Sequence, residues 1–164
     1  MVNTFEDWIN RLVESDEICT EYYKKVKKSL SVKQLFDSGC DTNGIEYLCM
    51  TDAKGMPLPY EIITSKFGSF INGRYISKHK ASNGDSYKSA IYCCYQGEVK
   101  ADVTILGLLG CKANVYVKEN SVVQIYADRN CEINVGCPSS SKAIVHYWGN
   151  REPEYSGNVK RVRI

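Results

Sequence analysis

From residue 101 the chain can be written in five consecutive blocks of ten without a gap: ADVTILGLLG, CKANVYVKEN, SVVQIYADRN, CEINVGCPSS and SKAIVHYWGN. The third position is Val103, Ala113, Val123, Ile133 and Ala143, and the fifth is Ile105, Val115, Ile125, Val135 and Val145. Alternate residues of a strand share a face, so each block predicts a short strand with one buried side. The tenth position is Gly110, Asn120, Asn130, Ser140 and Asn150. Asparagine and glycine tolerate the left-handed backbone of a tight corner, so each block reads as a strand plus a corner.

Two architectures accept such a repeat: a parallel β-solenoid, with each block one side of a coil, or an antiparallel meander of hairpin arms. Tight hairpins favour Asn-Gly, which occurs at Asn72-Gly73 and Asn83-Gly84 but not inside the repeat. The solenoid is therefore preferred over the meander. The first position supports a coil of twenty residues, because Cys111, Ser121, Cys131 and Ser141 alternate as though like residues stacked every second block.

The chain before residue 70 has helical periodicity. Phe5, Trp8, Ile9, Leu12 and Val13 follow i, i+3, i+4, i+7, i+8 behind Thr4, a suitable N-cap. A second helix is expected from Ser15-Asp16, with Ile18, Tyr22, Val26 and Leu30 on one side and Lys24, Lys25, Lys27 and Lys28 largely on the other. SVKQLFDSG predicts a short helix with Ser31 and Gln34 as a capping box, DTNGIEYLCMTD another, and MPLPYEIITSKFG one more from about Pro59 to Gly68. The expected organisation is α+β: a cluster of short helices over 1–69, a β-repeat over 70–150, and a tail or pairing strand over 151–164.

With 164 residues there is room for one domain and a small appendage, and a formal charge of +2 marks no general polyanion binder. No apolar run approaches the ~18 residues of a membrane helix. MVNTFEDWIN lacks the basic and apolar regions of a secretory signal, so synthesis in the cytosol is expected, with no membrane partner.

Eight cysteines invite a zinc or disulfide reading. Cys93-Cys94 and Cys131 with Cys137 are the closest pairs, and neither has zinc-ligand spacing. His79 and His146 have no cysteine near them in sequence, so the cysteines read as reduced, packed thiols. Cys40, between Asp37 and Asp41, is the best nucleophile candidate, and it would need a distant His79 or His146 as base. Glu17 with Glu21 reads as helix-surface charge, while Asp102, Glu119, Asp128 and Glu132 fall mostly at corners. No phosphate-loop or dinucleotide pattern occurs. The expectation is a protein without a catalytic, cofactor or metal site.

SVVQIYADRN and KANVYVKEN, short V-x-V alternations closed by asparagine, resemble the small β-solenoid repeats of Bacteroides and phage proteins. The lead-in SGCDTNGIEYLCMTDAKGMPLPYEII followed by FINGRYI is similar to proteins of Bacteroides-infecting, crAss-like phages. The resemblance implies a virion component, made in the bacterial host cytoplasm, in head decoration, fibre or tail assembly, with other virion or scaffold proteins and copies of itself as partners.

The interface candidates are Tyr147 and Trp148, as aromatic anchors, and Val159, Val162 and Ile164, as a last strand that pairs with a partner chain. The N-terminal helices are expected to cap one end of the coil. Two rivals remain: a DNA-binding or regulatory protein using the basic patch Lys24, Lys25, Lys27 and Lys28, and a bactofilin-like scaffold polymerising end to end.

Overall fold

The computed structural model describes residues 2–15, 23–24, 27–28, 42–56, 58–67, 74–80, 86–93 and 95–164. The sequence carries Gly and Asn at corners and alternating small aliphatics between them, and the chain accordingly winds rather than folding back. Helix α1 (Phe5–Glu14), α2 (Thr42–Ala53) and α3 (Tyr60–Phe67) precede β1 (Arg74–Lys80) and β2 (Ser86–Cys93), which pair antiparallel. The chain then alternates between two sheets through β3 (Gln96–Ala101), β4 (Ile105–Leu109), β5 (Lys112–Val117), β6 (Val122–Ala127), β7 (Glu132–Cys137), β8 (Lys142–Tyr147), β9 (Glu154–Gly157) and β10 (Val159–Arg163). The long sheet has the order β1-β2-β4-β6-β8-β10 and the short sheet β3-β5-β7-β9. Every pairing after β1–β2 is parallel. The protein is α+β, and its repeat is a β-solenoid rather than a meander.

Two blocks make one coil. Ala113 pairs with Ile133 and Val123 with Ala143, each twenty residues on. Val115, Val123, Ile125, Val135, Ala143 and Val145 are all fully buried between the sheets. Burying a Val or Ile side chain contributes roughly 1.5–3 kcal/mol, so each aliphatic residue of this column stabilises the coil.

The first block departs from the repeat. Ile105 pairs with Gln124, nineteen residues on, so β4 is slipped by one relative to β6. A slip of one exchanges the two faces of a strand. Leu106 and Leu108 therefore take the interior, while Ile105, expected inside, faces outward into a second apolar cluster with Phe5, Trp8, Ile9, Leu12, Ile45, Cys49, Ile62, Ile91 and Tyr126. The corners depart as well. Of the tenth positions, Gly110 and Asn120 have positive φ, at 65° and 56°, whereas Asn130, Ser140 and Asn150 do not. At Asn130 the corner is instead held by Asp128, whose carboxylate accepts from the Asn130 amide at 3.0 Å.

That second cluster locates the helices. Thr4 caps α1, its hydroxyl accepting from the Asp7 amide at 3.0 Å while the Asp7 carboxylate accepts from the Thr4 amide at 2.9 Å. The apolar stripe of α1 is buried at Phe5, Trp8, Ile9 and Leu12, but Val13 is exposed. Trp8 donates its indole N–H to the Met56 carbonyl at 3.0 Å, joining α1 to the segment after α2. Helix α2 lies on the outer face of the long sheet, where a Cβ on Gly107 would stand 2.8 Å from Cγ2 of Ile45. The missing side chain there permits the close approach of helix to sheet. Among the described residues, α1, α2 and α3 cover a flank of the solenoid rather than its end, because their apolar faces meet outward-facing sheet residues.

Residues 23–24 and 27–28 are helical, in keeping with the second expected helix; Ser15 is the C-cap of α1, and the helix over SVKQLFDSG lies outside the described residues. Asn72-Gly73 and Asn83-Gly84 also lie outside them, although β1 and β2, which flank the latter, do pair as an antiparallel hairpin.

Candidate assembly surfaces

The last coil is built differently from those above it. Tyr155 pairs with Val135, and Val159, Arg161 and Arg163 pair with Ala143, Val145 and Tyr147, so these side chains take the inward register positions of the final coil. The Arg161 guanidinium sits 4.3 Å from the centre of the Tyr155 ring. Its Nη1 donates to the Pro153 carbonyl at 3.1 Å and pairs with the Glu152 carboxylate at 3.0 Å. Arg163 donates to the Asn150 side-chain oxygen at 2.7 Å. An inward-pointing charge on a terminal strand, laid over an aromatic ring, closes an apolar interior that would otherwise invite another strand.

The strand is placed there by a tight turn. Gly157 has φ 82°, and a Cβ on it would lie 1.8 Å from the Cys137 carbonyl oxygen. Asn158 then donates from its side chain to the Ser141 carbonyl at 2.7 Å. The C-terminal segment, expected as a tail or as a strand that pairs with a partner chain, carries the last of the five mutually parallel strands of the long sheet, bonded to β8 of its own chain. Residues 154–163 belong to the solenoid, not to a separate tail.

The other interface candidates divide between core and surface. Tyr147 is buried in the interior, and Trp148 is half-buried against the helical cluster, its ring 6.4 Å from that of Tyr126. Both pack against the protein's own core. Val159 packs on the interior, Val162 is half-buried, and Ile164 is exposed. Val162 pairs with His146, which stacks on Tyr126 at 4.7 Å and whose Nε2 lies 3.1 Å from the accepting Oε1 of Gln124. Burial holds the His146 imidazole below its ordinary pKa. Val122 and Ile164 are exposed.

The outer face of the short sheet is polar. Glu98, Asn114, Asn134 and Glu154 stand in one register row, and Lys112 and Glu132 in the next. Glu132 pairs with Lys112 at 3.4 Å and with Arg151 at 2.7 Å. Lys112, Asn114, Glu132, Asn134, Glu154 and Arg151 line an open groove of about 280 Å³. The alternation of exposed polar and buried aliphatic residues along β5 and β7 makes this face legible in the sequence, where Glu132 stands out as one of its carboxylates.

Of the basic patch, Lys24, Lys27 and Lys28 are exposed, and Lys27 lies 5.4 Å from the Tyr23 ring one helical turn before it; Lys25 lies outside the described residues. Cys40, Glu17 and Glu21 also lie outside them, and His79 is on β1. Among the described residues no three His, Cys, Asp or Glu side chains converge as a metal site, and no helix is long and apolar enough to cross a membrane.

One buried polar cluster escaped the sequence reading. Asp52, at the end of α2, accepts from the Asn130 side chain at 3.1 and 3.2 Å and pairs with Arg129 at 3.2 Å. Asp128 beside it accepts from the Gly110 amide at 3.1 Å. Burial first, and the Asp128 carboxylate second, raise the pKa of Asp52. The cluster ties α2 to a solenoid corner, a contact between residues far apart in sequence that no local spacing announces. Comparison with known protein families, with curated proteins and with solved structures finds no match.

Proposed function

We propose that the protein is a non-enzymatic structural component that assembles with other proteins through the flanks of its solenoid. The observation that carries this reading is the final coil, in which Arg161 on Tyr155 closes the interior while the outer face of the short sheet stays available. A flat polar face with rows of Glu98, Asn114, Asn134 and Glu154 suits the wide, shallow contact of a protein partner better than the concave apolar site of a small molecule. The resemblance of the repeat to phage solenoid proteins supports a place in a virion, as head decoration, fibre or tail-associated protein.

The closed end weighs against a bactofilin-like scaffold, which would stack end to end. The exposed lysines Lys24, Lys27 and Lys28 favour a second reading, nucleic-acid binding, which carries a steep salt dependence. Light scattering after size exclusion, across a dilution series in reducing buffer, tests the first reading. A closed oligomer supports flank-to-flank assembly. A monomer at every concentration removes self-assembly, and absence of the protein from purified phage particles removes the virion assignment.

A further inference from the structure

We propose that Cys111 and Cys131 form a coil-to-coil dithiol pair that closes to a disulfide on exposure to a peroxide. The two residues stand at equivalent points immediately before β5 and β7, whose next residues, Lys112 and Glu132, are paired in register. The Glu132 amide donates to the Cys111 carbonyl at 2.8 Å, so the ladder already extends to this level. Neighbouring parallel strands run about 4.7–4.9 Å apart, inside the Cα separation of roughly 4.4–6.8 Å that a disulfide spans. The Cys131 sulfur reaches towards the coil above it, 3.4 Å from the Cys111 amide nitrogen. Both thiols are free and buried in the interior. The other described buried cysteines stand elsewhere, Cys49 on α2 and Cys137 at the far end of β7.

The surroundings supply a route for the protons. Cys131 lies 3.3 Å from Oδ1 of Asp128. Contact with the Cys111 thiol, then burial, then the Asp128 carboxylate push the Cys131 thiol up, while the thiol–thiol contact lowers Cys111. In this scheme Cys111 is the attacking thiolate. Its sulfur attacks one oxygen of hydrogen peroxide; an S–O bond forms, the O–O bond breaks, and the hydroxide released takes the proton lost by Cys111 to leave as water. Cys131 then gives its proton to Asp128 and attacks the Cys111 sulfenic acid. The S–S bond forms, the S–O bond breaks, and the departing hydroxide recovers the proton from Asp128 as a second water. Both sulfurs are oxidised and both peroxide oxygens are reduced.

The product staples successive coils at the corner that holds α2. The test treats the reduced full chain with hydrogen peroxide, alkylates remaining thiols after denaturation, and maps cross-linked peptides by mass spectrometry. The expected result is one dominant intramolecular Cys111–Cys131 link, a higher thermal midpoint, and reversal of both by dithiothreitol. The Cys137→Ser variant is expected to keep the link. Because Cys111→Ser and Cys131→Ser change the core, the wild-type map decides the matter. Scrambled pairing, conversion of the two residues to separate sulfinic acids, or no reaction at peroxide levels that oxidise the methionines would each overturn the proposal.

Discussion

The hydroxyl oxygen of Ser141 lies 3.1 Å from the backbone nitrogen of Ser121, one full coil earlier, and donates to the Lys118 carbonyl at 2.7 Å. On the opposite side of the coil the Cys131 sulfur stands in the same relation to the Cys111 nitrogen, at 3.4 Å, and to the Leu108 carbonyl, at 3.2 Å. Serine and cysteine thus do one job at two corners: a small side chain accepts from the amide above and donates to a carbonyl that the turn leaves open. Removing it strands both groups in a buried place, where an unsatisfied donor or acceptor costs about 1–3 kcal/mol. Ser141→Ala is expected to lose that much in urea denaturation, and Ser141→Cys less than half of it.

Asn120 is the left-handed corner, with φ 56°. A β-branched residue there meets its own following carbonyl, so Asn120→Val is expected to destabilise by about 1–2 kcal/mol. Asn120→Gly should be close to neutral. Equal losses from both variants, measured by thermal unfolding, would show that the asparagine side chain rather than its backbone is what the corner needs.

At Gly107, the 2.8 Å approach of a Cβ to Ile45 leaves no room for a methyl group unless α2 moves. Gly107→Ala is expected to cost roughly 1–3 kcal/mol by overpacking. In an Ile45→Ala background, which removes the clashing γ carbons, Gly107→Ala should cost less than it does in the wild type if the clash is the cause.

Opening the capped end is the direct check on how the solenoid avoids stacking. Replacing Arg161 by Val continues the aliphatic column below Val145 and removes the charge that faces the ring of Tyr155. The variant is expected to show apparent mass that rises with concentration in light scattering, while the wild type does not extend end to end. An unchanged mass for Arg161→Val would mean that the Arg161–Tyr155 pair is not what keeps the end closed.

Asp52 sets a pH dependence of unusual sign. Its pKa is raised from the ordinary 3.8, so the native state holds a proton that the unfolded chain has already released. The contribution to stability is greatest below 3.8 and is lost as pH rises through the higher native value. Asp52→Asn cannot ionise. Relative to that variant, the wild type is therefore expected to lose stability from acid towards neutral pH, read from paired denaturation curves.

How far the sequence reached can be seen at particular residues. The pairing of Cys111 with Cys131 and Ser121 with Ser141 was legible because an unbroken twenty-residue period puts like residues on top of each other in a parallel coil. Helix α1 was legible because its stripe and cap are local, although Val13 shows that an apolar residue at the edge of a stripe can stay exposed. The slip at β4 was not, since Ile105 and Leu106 are equally apolar and only the corner at 102–104 decides which turns inward. Nor was the fate of the C-terminus: Val159, Val162 and Ile164 read as a strand, but a strand does not state its partner.

By itself, then, the sequence determined a ten-residue repeat of strand and corner with one buried face, and favoured a coil over a meander, because periodicity and corner residues are properties of neighbours along the chain. Only the tertiary structure decided that the helices lie on a flank, that Asp52 meets Arg129 and Asn130, and that Arg161 closes the end over Tyr155. Those contacts join distant segments, and the choice among possible partners is made by packing and by the cost of leaving charge or backbone unpaired in the interior.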